Sequence, residues 1–351
     1  MKAVILLGGF GTRLRPFTCT TPKPLLPILN RPSVMYQIEL LRKNGIRDIA
    51  FCLNYLSKNF LKYFGDGRKF GIRIKYFYEK MPLGTGGAIK NVQEFIDTPT
   101  VIFNGDILTD INIGDVIKSH KSRGAALTIV LTRVKDPTVY GLVETNRQCR
   151  IERFLEKPSW DEITCNTINA GIYVFDPSIL EHIPPRVNYS VERGLFPLLL
   201  EMKYPVYGYI SSSYWIDIGT VEKYLQVHHD ILSGNTGFTI PGRRIRKNIW
   251  ADRGVRISPD SAISGSVVIG KGSRIDGYVQ ISGTASIGGN CLIGKGATIN
   301  DSVILDNTVI GEGARIEKSV IGNNCVMGVG CSVGPLGAIG DNTTIARFSR
   351  T

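Results

Sequence analysis

The sequence predicts an α/β domain with a mixed, mainly parallel sheet, followed by a parallel β-helix. Two patterns support this prediction: strand and helix signals alternate along most of the chain, and isoleucine then recurs every six residues. The composition changes after about Leu232. We therefore expect two domains, over residues 1–232 and 252–351, joined by a basic linker over residues 233–251.

The alternation begins at the N-terminus. AVILL, residues 3–7, is typical of a strand, and residues 32–44 predict a helix because Val34, Ile38 and Leu41 lie at helical spacing. Later strands are predicted over residues 49–54, 72–79, 100–106, 126–134, 141–144, 151–155, 171–175 and 206–210. Strands separated by helices indicate βαβ units and parallel pairing.

A glycine-rich loop follows the first strand. Gly8, Gly9 and Gly11 fall within four positions, so backbone N–H groups can approach an anion without a Cβ in the way. Arg13 and Lys23 add positive charge, and prolines on both sides hold Lys23 in an extended segment. Loops at the carboxyl end of a strand are where α/β sheets bind ligands, so this loop predicts a phosphate site.

The last part of the chain carries a strict six-residue period. Aliphatic residues recur at Ile257, Ile263, Ile269, Ile275, Ile281, Ile287, Ile293, Ile299 and Leu305. Neither a helix nor an ordinary strand has this period, which resembles the hexapeptide repeat of a left-handed parallel β-helix. The frame shifts by one residue at Ile310 and Ile316, and we expect a protruding loop or a bent coil there.

GGFGTRLRP at residues 8–16 and TPKPLLP at residues 21–27 together resemble the signature of the sugar nucleotidyltransferases. These enzymes join a nucleoside triphosphate to a sugar 1-phosphate. The resemblance implies a Rossmann-like catalytic domain, two small-molecule substrates and Mg²⁺ as the cofactor. It also implies that the aspartates of FNGD and WIDIGT, Asp106 and Asp217, hold the metal. A buried aspartate in an apolar run such as YWIDIGT is costly unless it is paired or metal-bound.

The resemblance assigns further roles residue by residue. The catalytic set it implies is Arg13, Lys23, Asp106 and Asp217. The nucleotide-binding set is Leu7, Gly8, Gly9, Gly11, Thr12, Arg13, Glu79, Gly84 and Asp106. FLEKPS and NAGIY resemble the sugar-phosphate motifs of the family, and the sugar-phosphate set is Gly141, Glu156, Lys157, Asn169 and Gly171.

Glu79, in EKMPLGTGG, is the residue expected to select the base. A carboxylate accepts from paired donors, which guanine presents at N1–H and N2–H₂. The segment resembles guanylyltransferases, which implies GTP and mannose 1-phosphate as substrates and GDP-mannose and pyrophosphate as products. UTP, dTTP or ATP with glucose 1-phosphate, and GTP with a manno-heptose 1-phosphate, stay open as alternatives.

Composition bears on which other classes of ligand the protein could bind. The formal charge of +12 is compatible with binding to nucleic acid, to an acidic membrane surface or to small polyanions. The basic residues of the chain are mostly scattered and accompany no nucleic-acid motif, which disfavours nucleic-acid binding. With no apolar stretch of about 18 residues and no disulfide pattern in seven cysteines, we expect a cytoplasmic protein. The stacked coils favour a homo-oligomer.

Two further functions, a β-helix acyltransferase and a non-catalytic regulatory subunit, are less favoured by the sequence. A β-helix acyltransferase would need a histidine base, and the four histidines (His120, His182, His228 and His229) all precede the repeats. A non-catalytic regulatory subunit would lack Lys23, Asp106 or Asp217, and all three are present.

Overall fold

The computed structural model describes residues 1–54 and 56–351. These residues form two compact units, the first from Met1–Gly9 and Tyr36–Trp215 and the second from Phe10–Met35 and Ile216–Thr351. Most of the glycine-rich loop thus belongs to the same unit as the C-terminal repeats. No helix in the described ranges is long and apolar enough to cross a membrane. The domain boundaries at residues 232 and 252 stay predictions.

The helices and the earlier strands follow the predicted alternation. The α-helices of the described ranges are α1 (Val34–Lys43), α2 (Ser57–Phe64), α3 (Gly84–Asn91), α4 (Ile113–Ser122), α5 (Phe196–Glu201) and α6 (Val221–Leu232). The strands up to residue 217 are β1 (Lys2–Leu6), β2 (Pro27–Ile28), β3 (Arg31–Pro32), β4 (Asp48–Leu53), β5 (Arg73–Tyr78), β6 (Thr100–Asn104), β7 (Ile107–Thr109), β8 (Leu127–Arg133), β9 (Gly141–Thr145), β10 (Ile151–Glu156), β11 (Thr167–Phe175), β12 (Val206–Ile210) and β13 (Trp215–Asp217).

The first unit is built on one mixed sheet with the order β10-β9-β11-β6-β1-β4-β5, and β8 and β12 extend it beside β11. β1 pairs in parallel with β4 and β6, and β4 pairs in parallel with β5. β11 runs antiparallel to β6, β8 and β9. The prediction of a mixed sheet with a parallel core is confirmed.

Continuous apolar runs explain why the parallel strands lie inside the sheet. Val4, Ala50 and Ile102 on β1, β4 and β6 are fully buried and belong to one core with Ile89 of α3 and Leu199 of α5. Strands covered on both faces read as unbroken hydrophobic segments, as these do. This packing holds the carboxyl ends of β1, β4 and β6 side by side.

The second unit contains a parallel β-helix. Its strands are β14 (Arg243–Arg246), β15 (Ile249–Ala251), β16 (Arg256–Ile257), β17 (Ala262–Ile263), β18 (Ser266–Ile269), β19 (Arg274–Ile275), β20 (Gln280–Ser282), β21 (Thr284–Ile287), β22 (Leu292–Ile293), β23 (Thr298–Asn300), β24 (Val303–Ile304), β25 (Val309–Ile310), β26 (Arg315–Glu317), β27 (Val320–Ile321), β28 (Val326–Met327), β29 (Ser332–Val333), β30 (Ala338–Ile339) and β31 (Thr344–Ile345). Apart from β14, which pairs antiparallel with β15, they stack in three parallel sheets. Their inward isoleucines form one buried core.

The register corrects one detail of the repeat. Ile275 pairs with Ile293, 18 positions on, but Ile287 pairs with Ile304 and Ile293 with Ile310, each 17 positions on. Ile304, rather than Leu305, therefore occupies the inward strand position. The coils are one residue shorter at the shift and their strands stay paired, so the expectation of a protruding loop there is wrong. The alternative of a bent coil stays a prediction.

Candidate functional site

The carboxyl ends of four parallel strands in the first unit meet at one edge of the sheet. The N–H of Leu7 donates to the Cys52 carbonyl at 2.8 Å, the N–H of Gly105 to the Leu6 carbonyl at 2.9 Å, and the N–H of Glu79 to the Leu53 carbonyl at 2.8 Å. These bonds continue the ladder beyond β1, β4, β5 and β6. They place the start of the glycine loop, Glu79 and the FNGD turn together.

Gly105 explains the FNGD turn. A Cβ on Gly105 would lie 2.5 Å from the Leu6 carbonyl oxygen, so the turn tolerates no side chain at that position. The chain leaves β6 tightly against β1 and presents Asp106 directly after the crossing. Asp106 is thereby fixed at the carboxyl edge of the sheet, where α/β folds bind ligands.

Glu79 lies beside the first glycine of the loop. A Cβ on Gly8 would be 3.4 Å from Glu79 Oε1 and 3.4 Å from Asn54 Cβ. Glu79 Oε2 accepts from the N–H of Leu83 at 3.0 Å. Burial raises the pKa of the Glu79 carboxyl, and the Leu83 N–H and the Asn54 side chain offset part of that rise. The structure thus brings Gly8 and Glu79 together.

The LGTGG glycines pack against a neighbouring segment. The N–H groups of Gly86 and Gly87 donate to the Tyr189 carbonyl at 2.8 and 3.1 Å. Gly84 has φ +69°, and a Cβ there would be 2.7 Å from the same carbonyl oxygen. A Cβ on Gly87 would meet the Val187 carbonyl oxygen at 2.5 Å. The glycines therefore let α3 begin directly against residues 187–189.

The predicted sugar-phosphate residues lie on β9, β10 and β11 of the same unit, or, for Lys157, directly after β10. Gly141 pairs in register with Glu156, and a Cβ there would be 2.9 Å from Glu156 Oε2. Asn169 Nδ2 donates to the Tyr173 hydroxyl at 2.9 Å, and its Oδ1 accepts from the Gly171 N–H at 2.9 Å. Asn169 is thus held by protein partners at an irregular step of β11.

Gly171 and Lys157 both take left-handed backbone conformations. Gly171 has φ +71°, and a Cβ there would lie 2.9 Å from Asn104 Nδ2. Lys157 has φ 55°, unusual for a residue with a side chain, and its N–H donates to the Tyr140 carbonyl at 2.9 Å. Glycine takes this conformation without steric cost, whereas Lys157 carries a side chain there.

Glu192 is a residue that the sequence analysis missed. Its Oε2 accepts from the hydroxyls of Thr85 at 2.8 Å and Ser190 at 2.6 Å. Its Oε1 lies 3.5 Å from the Tyr173 hydroxyl. Burial raises the pKa of Glu156, the Glu192 carboxylate raises it further, and Lys157 and Arg193 partly offset the rise. Glu192 therefore links the LGTGG segment to Tyr173 and the Asn169 amide.

The second unit holds the remaining predicted residues. Gly11 has φ +62°, and a Cβ there would lie 2.9 Å from Thr18 Cγ2 and 3.2 Å from Lys23 Cβ. The Thr18 hydroxyl donates to the Gly11 carbonyl at 2.8 Å. The loop therefore folds back on itself, with Thr12 beginning the short helical turn Thr12–Leu14.

Arg13 and Asp217 lie together at Gly219. A Cβ on Gly219 would be 3.1 Å from Asp217 Oδ2 and 3.2 Å from Arg13 Nη2. The Lys223 ammonium bonds Asp217 Oδ1. Thr220 caps α6 by accepting from the Lys223 N–H, which fixes the direction in which Lys223 leaves the helix. Spacing alone gave no reason to single out Lys223, since it lies six positions after Asp217.

The protein donors proposed for a metal are carboxylates. Asp106 belongs to the first unit and Asp217 to the second. Across the described residues, no three His, Cys, Asp or Glu side chains converge on one point that could hold a metal. Mg²⁺ is commonly bound by one or two carboxylates together with substrate phosphates and water. The donor chemistry of each aspartate therefore fits Mg²⁺.

Comparison with known families identifies the class of protein. A family model described as nucleotidyl transferase matches residues 2–234. The chain belongs to the nucleotidyl transferase family. A second model, described as the LbH domain of the EIF2B epsilon subunit, matches residues 246–349. With the stacked parallel strands, that match confirms the predicted fold of the C-terminal repeats.

Relatives of this nucleotidyl transferase carry more than one substrate name. A UTP–glucose-1-phosphate uridylyltransferase from Synechocystis is 37% identical and covers 79% of this chain and 75% of its own length. A mannose-1-phosphate guanylyltransferase from Mycobacterium tuberculosis is 36% identical, and the match covers 78% of this chain and 76% of that protein. A mannose-1-phosphate guanyltransferase from Candida albicans is 39% identical, and the match covers 64% of this chain and 63% of that protein.

Solved structures resemble this nucleotidyl transferase over about two thirds of the chain. A putative glucose-1-phosphate thymidylyltransferase from Bacillus anthracis aligns with a TM-score of 0.61 at 23% identity, covering 68% of this chain and 97% of that one, and shows the shared fold. HddC from Yersinia pseudotuberculosis, complexed with GMP-PN, aligns with a TM-score of 0.55 at 28% identity, covering 64% and 97%.

Proposed function

We propose that this enzyme joins GTP and mannose 1-phosphate to form GDP-mannose and pyrophosphate. A phosphate oxygen of the sugar substrate attacks the α-phosphorus of GTP, the bond to the α–β bridging oxygen breaks, and pyrophosphate leaves with the electron pair. The observation that carries the proposal is the half-buried Glu79 carboxylate beside Gly8. Its two oxygens suit the N1–H and N2–H₂ donors of guanine. The names of the Mycobacterium and Candida relatives support the same substrates.

The triphosphate is assigned to the glycine loop and two cations. Arg13 and Lys23 neutralise the charge that develops on the leaving pyrophosphate, and backbone N–H groups of the loop bind phosphate oxygens. The other residues proposed to contact the nucleotide are Leu7, Gly8, Gly9, Gly11, Thr12 and Gly84. Fixed cations suit this reaction because an in-line displacement requires positioning and charge neutralisation more than covalent help.

Asp106 and Asp217 are the residues proposed to hold Mg²⁺. When bound, the ion would neutralise the phosphates and polarise the α-phosphorus. The Asp217 carboxylate is oriented by Lys223 and lies beside Arg13 at Gly219, so the protein supplies further positive charge on this side of the reaction.

The sugar phosphate is assigned to Glu156, Lys157, Asn169, Gly141 and Gly171. Lys157 binds the phosphate, while the Glu156 carboxylate accepts from ring hydroxyls. Gly141 and Gly171 keep that wall free of side chains. The raised pKa of Glu156 fits a carboxyl group held in a partly buried pocket.

Release of pyrophosphate tests the proposal when GTP, UTP, dTTP and ATP are each combined with mannose, glucose and manno-heptose 1-phosphates. We expect the highest kcat/KM for GTP with mannose 1-phosphate. The Synechocystis relative favours UTP with glucose 1-phosphate as the second candidate, and highest activity with that pair would replace our proposal. A cytoplasmic location and self-association remain part of the proposed function.

A further inference from the structure

The segment of residues 10–35, called here the loop segment, is bonded to the β-helix within the second unit. The Thr20 hydroxyl donates to Asp341 Oδ2 at 2.6 Å. The Asn30 Nδ2 donates to the Ile287 carbonyl at 2.9 Å. A Cβ on Gly340 would lie 2.9 Å from Pro16 Cβ, so the corner of the β-helix at Gly340 fits closely against the loop segment.

Asp341 ends a row of side chains along one corner of the β-helix, called here the corner ladder. Asp306 Oδ1 accepts from the Gly289 N–H at 2.7 Å, and Asn323 Oδ1 accepts from the Asp306 N–H at 3.2 Å. Asp341 Oδ1 in turn accepts from the Asn323 N–H at 2.7 Å. The two oxygens of Asp341 are thus divided between the ladder and Thr20.

The two bonds of the loop segment lie several coils apart. Ile287 ends β21, and Asp341 follows β30 in the same sheet, with β24 and β27 between them. Neighbouring strands are about 4.8 Å apart, so the two anchor points are separated by about 14 Å along the stack. Lys23 lies between Thr20 and Asn30 in the chain, and the segment that carries it is therefore held at both ends.

Helix α6 is held by the same surface. His229 Nδ1 lies 3.4 Å from the Thr284 hydroxyl on β21. The Tyr224 hydroxyl donates to the Pro27 carbonyl of the loop segment. Because α6 also carries Lys223, which bonds Asp217, the β-helix, α6 and the loop segment are joined by contacts on the Asp217 side of the second unit.

We propose that the β-helix positions the loop segment for nucleotidyl transfer and that Asp341 is a positioning residue. The roles of Arg13 and Lys23 in this inference rest on the proposed function. The Thr20–Asp341 bond is charge-assisted, and such bonds are stronger than bonds between neutral groups. The bond is solvent-exposed, and the contacts of Asn30 and Pro27 remain when it is lost. Its loss should therefore loosen the Thr20 end of the loop segment while leaving the stacked coils intact.

Thr20→Val tests the bond because valine keeps the shape of threonine without the hydroxyl, and Thr20→Ser should restore it. Asp341→Ala is paired with Asp306→Ala, which removes a ladder bond to Gly289 but not the bond to Thr20. We expect Thr20→Val and Asp341→Ala to raise the KM for the nucleoside triphosphate about tenfold, with the KM for the sugar 1-phosphate unchanged. For Thr20→Ser and Asp306→Ala, the KM for the nucleoside triphosphate should stay within about twofold of the wild-type value.

Amide hydrogen exchange of residues 10–35 provides a readout independent of catalysis. We expect faster exchange in this segment for Thr20→Val and Asp341→Ala, and wild-type exchange for Thr20→Ser and Asp306→Ala. Unchanged exchange in Thr20→Val, or equal effects of Asp341→Ala and Asp306→Ala, would overturn the positioning role. If the wild type transfers no nucleotidyl group, the proposed function fails, and the exchange data still decide the support of the loop segment.

Discussion

The ammonium of Lys223 bonds the carboxylate of Asp217, the residue proposed to hold Mg²⁺. The carboxylate side chain is mostly buried, at 13% exposure, whereas that of Lys223 is 33% exposed. A cation held this close competes electrostatically with a bound metal ion while it also orients the carboxylate. If Asp217 binds Mg²⁺ as proposed, we expect Lys223 to weaken the affinity of this carboxylate for the metal.

Lys223→Met should lower the Mg²⁺ concentration needed for half-maximal activity. Removing a repulsive charge worth about 1 kcal/mol corresponds to a shift of about fivefold. The measurement is a Mg²⁺ titration of initial rate at saturating substrates, with Lys247→Met as the control for lost surface charge. An unchanged or higher Mg²⁺ requirement in Lys223→Met would show that the ammonium does not oppose metal binding.

Asp217→Asn should reduce turnover by about 100-fold or more at saturating substrates, because a neutral amide is a poorer ligand for a cation. Asp230→Asn, in the helix α6 that follows Asp217, serves as the control. Asp230 accepts from Gln226 on the surface of α6, and its loss should leave turnover close to wild type. Near-normal turnover in Asp217→Asn would remove Asp217 from the proposed metal ligands.

Glu79→Gln should lower kcat/KM for GTP by about tenfold to a hundredfold, since a charged hydrogen bond is worth about 1.5–3 kcal/mol. The kcat/KM for UTP should change little. Because burial raises the pKa of Glu79, the ionised form is lost at a higher pH than for an exposed glutamate. The wild-type KM for GTP should therefore rise as the pH falls through that range, and the variant should lose this dependence. An equal loss for GTP and UTP would contradict a role in base selection.

We expect the stability to depend on pH through His228. It lies in α6 against the Tyr224 ring, with centroids 4.9 Å apart, and burial lowers its pKa from 6.5 to about 3. Between those values the unfolded chain binds a proton that the folded chain does not, so stability is present above pH 6.5 and falls as the pH falls. The contribution is at most about 1.4 kcal/mol per pH unit.

His228→Phe should remove that contribution. Denaturant unfolding at pH 7 and pH 5 should show a smaller loss of unfolding free energy in the variant than in the wild type. The exposed fraction of His228 is only 3%, so phenylalanine keeps the buried position filled and a neutral ring in contact with Tyr224. Identical losses in the two proteins would show that His228 does not cause the acid sensitivity.

The fold could be predicted where one period dominates. The six-residue isoleucine repeat predicted the stacked strands because each inward position must be aliphatic, yet it misplaced the shift at Leu305. Leu305 is also buried, at 2% exposure, so hydrophobicity alone could not distinguish it from Ile304. Only the pairing of Ile287 with Ile304 resolves the register.

The sequence does not predict those parts of the candidate site that depend on contacts between residues far apart in the chain. Arg13 and Asp217 were identified by motif, and the structure adds that both lie at Gly219. Glu192 and Asp341 carry no motif of their own, since an acidic residue two positions after a serine, or directly after a glycine, is common. Their partners, Thr85 and Thr20, lie 107 and 321 positions away in the chain, and only the folded structure brings these pairs together.

The most direct test of the account is the ratio of kcat/KM for GTP to that for UTP, measured as pyrophosphate release with mannose 1-phosphate and repeated with glucose 1-phosphate. Our proposal predicts a ratio well above one with either sugar, and the highest single value for GTP with mannose 1-phosphate. A ratio below one, with the highest value for UTP and glucose 1-phosphate, would contradict it.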